Sequence, residues 1–423
     1  MSRFLFATWE GGGHVQPMLR VARELIAQGH AALVLSDACN AADAAAVGVP
    51  FQAWRSAPSR VDRSPATDPL KDWLATNPLE VIQRIVGGVM CGPACAYARD
   101  VAEAVRAFGA DVVIAQELLF GAMVGAEAAG ARLAVFATNV WSLPTLPKSP
   151  PFGAGLPPPR TGFDFGFYAD VTRATAQAFQ CGLPQLNQAR AAMGLAPLGD
   201  LFDQLRAAGR ILLATSRAFD FDQTLPAPYQ YVGPYLEDPV WAEDWTPPPG
   251  DPARPLVLVS FSTMYQAQEP VLRRVIEALG ATEVRGVVTL GPVLSPADFP
   301  APVNVTVTAH APHSRILPLA SAVVTHAGHA STLRPLLAGA PLVCIPLGRD
   351  QADNAARVTG PGAGLRLPAD ASSEEIRTAT LTVLTDPSYR ANARTLGARI
   401  AADVAARSAE RELVAFAAGD GPE

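Results

Sequence analysis

The feature that most constrains this chain is a repeated alternation of short apolar runs, small-residue loops and amphipathic helices. Residues 4–7 form an apolar run short enough for a buried strand. It ends in Trp9-Glu10-Gly11-Gly12-Gly13, a loop composition. Val15, Leu19, Ala22 and Ile26 then recur at helical spacing, with Gly29 placed to end the helix, and residues 31–35 read as a second strand. Strand, glycine-rich loop, helix and strand in that order open a parallel α/β domain. The alternation returns with strands at 112–115, 133–137 and 211–214 and a helix around 122–129.

Two proline-rich stretches interrupt it. Residues 143–167 hold seven prolines and read as an irregular segment, expected to form a lid or wall over a pocket. A second cluster, Pro247-Pro248-Pro249 with Pro252 and Pro255, precedes a fresh start of the alternation at 256–260. From there strands are expected at 286–290, 303–308, 322–325 and 341–345, and helices at 269–279, 331–338 and 351–359. The division is therefore an α/β domain over 1–233, a linker over 234–255, a second α/β domain over 256–400, and a helical tail over 401–423. At 423 residues the chain is too long for one ordinary core, which agrees with two domains. Two parallel domains facing each other place a ligand in the cleft between them, at the carboxyl ends of the strands.

Bulk properties exclude several partners. The net charge is −6, lysine occurs only at Lys71 and Lys148, and no block of basic residues exists, which argues against nucleic acid or an anionic membrane. Cys39, Cys91, Cys95, Cys181 and Cys344 are odd in number and lack zinc-ligand spacing, so neither a disulfide framework nor a metal site is expected. The first residues lack a signal-peptide pattern, and no run reaches the roughly 18 apolar residues of a membrane span. A cytoplasmic protein without integral membrane association is the expectation.

Four motifs carry candidate chemistry. In Gly11-Gly12-Gly13-His14, glycines let the backbone approach a ligand, and His14 at a helix entry is a natural general base. In His326-Ala-Gly328-His329-Ala-Ser331-Thr332, a strand runs through small residues into a helix whose N-terminus can hold an anion. Asp350-Gln351 pairs an acid and an amide that can bind several sugar hydroxyls. Ser262 and Thr263 follow another strand end.

Taken together, Gly-Gly-His14-Val-Gln-Pro17 and Ala311-Pro312-His313 … His326-Ala-Gly328 … Ser331-Thr332-Leu333 … Pro346 … Asp350-Gln351 … Asn354 resemble the family-one, UDP-glycosyltransferase-like enzymes of the GT-B fold, of the bacterial secondary-metabolite type. The resemblance implies two Rossmann-like domains facing a central cleft, the first binding the acceptor and the second the nucleotide sugar. It implies an inverting, metal-independent hexosyl transfer from a UDP- or dTDP-sugar to a hydroxyl of a small apolar acceptor, with no cofactor beyond that co-substrate. His14 is implied to deprotonate the acceptor. His326, Gly328, Ser331 and Thr332, with Ser262 and Thr263, are implied at the diphosphate, His310 at the base, and Asp350 and Gln351 at the sugar, with His329 and Arg334 also counted among the nucleotide-sugar-binding residues.

Two positions depart from the family pattern. Where an Asp commonly backs the histidine stands Gln116, with Glu117 one residue on. Where a Glu commonly grips the ribose stands Arg334, which has only donors. Asp220-Phe-Asp222 has the acid-x-acid form of metal-dependent transferases and is read as structural. A nucleotide-sugar epimerase of the same fold and an inactive nucleotide-sugar-binding or auxiliary protein are the rival readings.

Overall fold

In the computed structural model, which describes residues 1–146, 149–221, 224–238, 246–248 and 250–419, the strands assemble into two sheets. The first contains β1 (Arg3–Ala7), β2 (Ala31–Ser36), β3 (Phe51–Ala53), β4 (Val112–Gln116), β5 (Arg132–Ala137), β6 (Ala208–Leu213) and β7 (Tyr229–Tyr231). The second contains β8 (Leu256–Ser260), β9 (Arg285–Thr289), β10 (Val305–Thr308), β11 (Ala320–Thr325), β12 (Leu342–Cys344) and β13 (Gly364–Arg366). Lys148, Asp222 and much of the expected linker lie outside the described residues.

Every strand pair is parallel. The order is β3-β2-β1-β4-β5-β6-β7 in the first sheet and β10-β9-β8-β11-β12-β13 in the second. Both are doubly wound sheets, and each reverses its winding once: between β1 and β4, and between β8 and β11. Where winding reverses, the loops at the carboxyl ends diverge to opposite faces and leave a crevice. Parallel sheets covered on both faces require apolar strands. Accordingly β4 and β8 are buried throughout, and cores fill the faces of the first sheet and of the second.

The sequence reading missed β3, β7 and β13, each three residues long. It also missed the helices between 78 and 108, whose apolar faces pack into the first core through Val89, Met90, Ala98 and Val101. This continuous stretch is the one described segment long and apolar enough to cross a membrane by length and composition. Part of the segment 143–167 is not irregular. A helix, Gly162–Phe179, starts inside it behind a capping box of Thr161 and Asp164. The final helix, Ala409–Ala418, crosses back to the first domain, where Ala409 and Leu413 join a core with Phe4, Phe6 and Val15.

Candidate functional site

At the first reversal, β1 leads into the glycine loop. Gly12 has φ +97°, and a Cβ there would sit 3.0 Å from Met264 Cγ of the second domain, so only glycine fits both the turn and the approach. The Glu10 carboxylate accepts from Gly12 N at 3.0 Å and from Arg63 Nε at 3.1 Å, which fixes the loop. His14 precedes the helix Val15–Ala27 and packs edge-on to Trp9. Burial first, and then the positive charge of Arg349, lower its pKa to about 3, so the ring is neutral.

From the neighbouring β4, Gln116 meets His14, with Nε2 2.6 Å from His14 Nδ1. Glu117 does not. It is buried outside the cleft wall, its Oε2 has no hydrogen-bond partner, and burial and then the Asp350 charge push its carboxyl up to about 8. The polypeptide turns just after Gln116 (Leu119 N donates to Gln116 O), so the strand end does not present Glu117 to the ring.

At the second reversal, β8 ends beside Ser262 and Thr263, and β11 runs into His326-Ala327-Gly328. Ala327 adopts φ +66°, a conformation that costs an alanine about 1 kcal/mol, and Asn354 Nδ2 holds its carbonyl at 3.0 Å. A Cβ on Gly328 would lie 2.6 Å from His326 Nε2. The helix begins at His329, two residues before the expected start. The reason is that Ser331 and Thr332 do not cap it; both hydroxyls donate to Gly328 O instead. The first-turn N–H groups have no partner within the helix, and Gly328, His329, Ala330 and Ser331 line the cleft.

Several expected contacts are therefore redirected. Thr332 is buried and off the cleft wall, so its hydroxyl is not a donor to a ligand. His329 lines the cleft, but its Nε2 pairs with Thr215 Oγ1 at 2.7 Å. Arg334 also lines it, yet its guanidinium donates to Glu237 O and, at 3.5 Å, to Asp238 Oδ1, tying the helix to the linker. The Gln351 amide accepts from Leu347 N at 2.7 Å and donates to Gln266 Oε1 at 2.8 Å, organising the loop before its own helix. Asp350 accepts from Asn354 Nδ2 at 2.8 Å through one oxygen, and burial raises its pKa. His326, neutral because burial lowers it to about 4, lies near-parallel to the Phe261 ring.

His14, Ser262, Thr263, His310, His326, Gly328, His329, Ser331, Arg334, Asp350 and Gln351 all line one cavity of about 340 Å³. Sequence reasoning missed what joins its two walls. Arg349, at φ +56°, forks onto Asp72 of the first domain at 2.6 and 3.0 Å and donates to Gly11 O at 3.2 Å. No periodicity marks Asp72, and only the neighbouring Asp350 could have drawn attention to Arg349. No described residue of 143–167 lines this cavity, so the expected lid is not over it. Gly153 and Gly155 instead donate to the Asp353 carboxylate on the second domain's helix Gln351–Thr359. Asp220 is structural, as expected, held by Arg357 at 2.6 and 2.9 Å and by Tyr231.

Residues 273–416 match the family described as "Erythromycin biosynthesis protein CIII-like, C-terminal domain". Over 98% of both chains the sequence is 29% identical to 4'-demethylrebeccamycin synthase of Lentzea aerocolonigenes. This match and this relative support a family-one-like glycosyltransferase of the bacterial secondary-metabolite type. Solved structures agree with the GT-B fold. The glycosyltransferase of kitacinnamycin superposes with a TM-score of 0.75 at 21% identity, covering 98% of each chain. Glycosyltransferase VinC, solved in complex with dTDP, gives 0.67 at 18% identity, covering 98% of this chain and 99% of its own. The two crevices described above line one cavity and so form the two halves of one cleft.

Proposed function

We propose that this glycosyltransferase moves a sugar from a UDP- or dTDP-sugar to the nucleophile of a small, largely apolar acceptor by direct displacement, with inversion at the anomeric carbon. The observation that carries the reading is that His14 and the N-terminus of the helix His329–Leu337 line the same cavity from opposite domains. The helix end offers free N–H groups and the positive end of a dipole to the leaving diphosphate, joined by His326. Asp350 keeps one carboxylate oxygen for sugar hydroxyls. His14 stands opposite, where an acceptor meets the far face of the sugar. Donors of this kind hold the diphosphate without a divalent metal. A structural relative solved with dTDP supports a nucleoside diphosphate as the donor's leaving half.

The test is to incubate the protein with UDP- and dTDP-sugars and phenolic acceptors, in excess EDTA, and to read products by mass spectrometry and anomeric configuration by NMR. A glycoside of inverted configuration, formed undiminished in EDTA, is expected. Retained configuration, or activity restored only by Mg²⁺ or Mn²⁺, would overturn the mechanism. Donor turnover to an isomeric nucleotide sugar without an acceptor would favour the epimerase.

A further inference from the structure

The environment of Gln116 decides more than the orientation of His14. Its Oε1 receives two hydrogen bonds, from Trp9 Nε1 at 3.2 Å and from Leu118 N at 2.8 Å. An indole N–H and a backbone N–H are donors only. Turning the amide over would set its NH₂ against both, leaving buried donors unsatisfied at about 1–3 kcal/mol each. The amide is therefore locked with Nε2 toward His14 Nδ1, and an amide nitrogen only donates. His14 Nδ1 must then be the acceptor and carry no proton. In a neutral imidazole the proton is consequently on Nε2, and the burial that keeps this ring neutral removes the alternative of protonating both nitrogens. A carboxylate in place of Gln116 would do the reverse: it would accept from Nδ1–H and leave Nε2 bare as a base.

We propose that Gln116 holds His14 as the Nε2–H tautomer, so that His14 meets the acceptor as a hydrogen-bond donor and the enzyme glycosylates acceptors that ionise on their own, phenols above aliphatic alcohols. This rests on the transfer reading given above. The acceptor O–H loses its proton to water. The oxyanion is held by His14 Nε2–H, and its electron pair forms the bond to the anomeric carbon. The bond from that carbon to the diphosphate oxygen breaks, its pair leaving with the diphosphate. No proton passes to His14. Gln116 is a positioning residue in this account, since it acts through the ring.

Two measurements test it. A long-range ¹H–¹⁵N correlation spectrum of histidine-labelled protein near neutral pH, with His14 assigned by loss of its signals in His14→Gln, should show a protonated Nε2 and a bare Nδ1. In Gln116→Glu, an isostere that still accepts from Trp9 and Leu118, the pattern should invert. In the second measurement, kcat/KM is compared for 4-nitrophenol, phenol and cyclohexanol with one donor. Wild type should favour 4-nitrophenol over cyclohexanol by about 10²-fold or more, and Gln116→Glu should raise the cyclohexanol to 4-nitrophenol ratio by at least about tenfold. A protonated Nδ1 in the wild type, or comparable wild-type rates on cyclohexanol and 4-nitrophenol, would overturn the proposal. Absence of transfer to every acceptor would overturn the transfer reading and the acceptor half of this proposal with it, while the spectrum still decides the tautomer.

Discussion

The two sheets share the strand order of their first six members, yet their reversals are equipped differently. In the first domain the crevice is closed by a glycine loop that presents a neutral ring, His14, on a buried amide. In the second it is closed by a tight turn at Ala327 and Gly328 that presents the end of a helix. The topology supplies two equivalent crevices, and the side chains grafted on them divide the labour. In the function proposed above, one meets the nucleophile and the other stabilises negative charge. Arg349, with its fork onto Asp72 and its bond to Gly11, spans the gap at the cavity wall.

Breaking each side separately sharpens this contrast. The largest effect is expected for His14→Ala, which removes a donor to the reacting oxygen. Transfer should fall about 10²–10³-fold, as for loss of an oxyanion contact, with little change in nucleoside diphosphate affinity measured by calorimetry. On the other side, Gly328→Ala sets a methyl 2.6 Å from His326 Nε2 and must displace the ring or the turn. Affinity for the free diphosphate should fall about tenfold, while the tautomer of His14 stays as in wild type. Arg349→Ala tests the bridge. It leaves Asp72 buried without its partner, a change that costs about 3–5 kcal/mol when a buried pair is broken. The melting transition should drop and the KM for donor rise, and an unchanged melting curve would remove the bridge from the account.

The smallest effect concerns Glu117. Burial and the Asp350 charge hold its carboxyl protonated up to about 8, whereas an unfolded glutamate ionises near ~4.3. With the folded pKa raised, its share of stability is complete below the unfolded pKa and is lost as pH climbs toward the folded one. Glu117→Gln abolishes that loss. The variant should melt about 2–4 °C above wild type near pH 8, and the gain should shrink toward zero as pH approaches the unfolded pKa. A gain independent of pH would show that the carboxyl is ionised in the folded protein.

Much of this site was legible in the sequence because both crevices open at strand ends whose apolar runs and small-residue loops are local patterns. The runs beginning at Phe4, Val112, Leu256 and Ala322 could be read directly, and His14 and His326 followed from their positions after them. What could not be read depends on contacts distant in sequence. Asp72 and Arg349 lie 277 positions apart. That Gln116 rather than Glu117 faces His14 depends on how the chain turns after β4. From the sequence Ser331 and Thr332 are expected at the diphosphate, and only the geometry at Gly328 shows their hydroxyls folded back onto its carbonyl. The three-residue strands β3, β7 and β13 are too short for any periodicity to register.

The division of labour between the two crevices is tested most directly by one pair of calorimetric titrations, with dTDP as ligand and His14→Ala and His326→Ala as the proteins. The account predicts wild-type affinity for His14→Ala and an affinity at least about tenfold weaker for His326→Ala, a difference of ~1.4 kcal/mol or more. Equal affinities in the two variants, or a loss confined to His14→Ala, would contradict it.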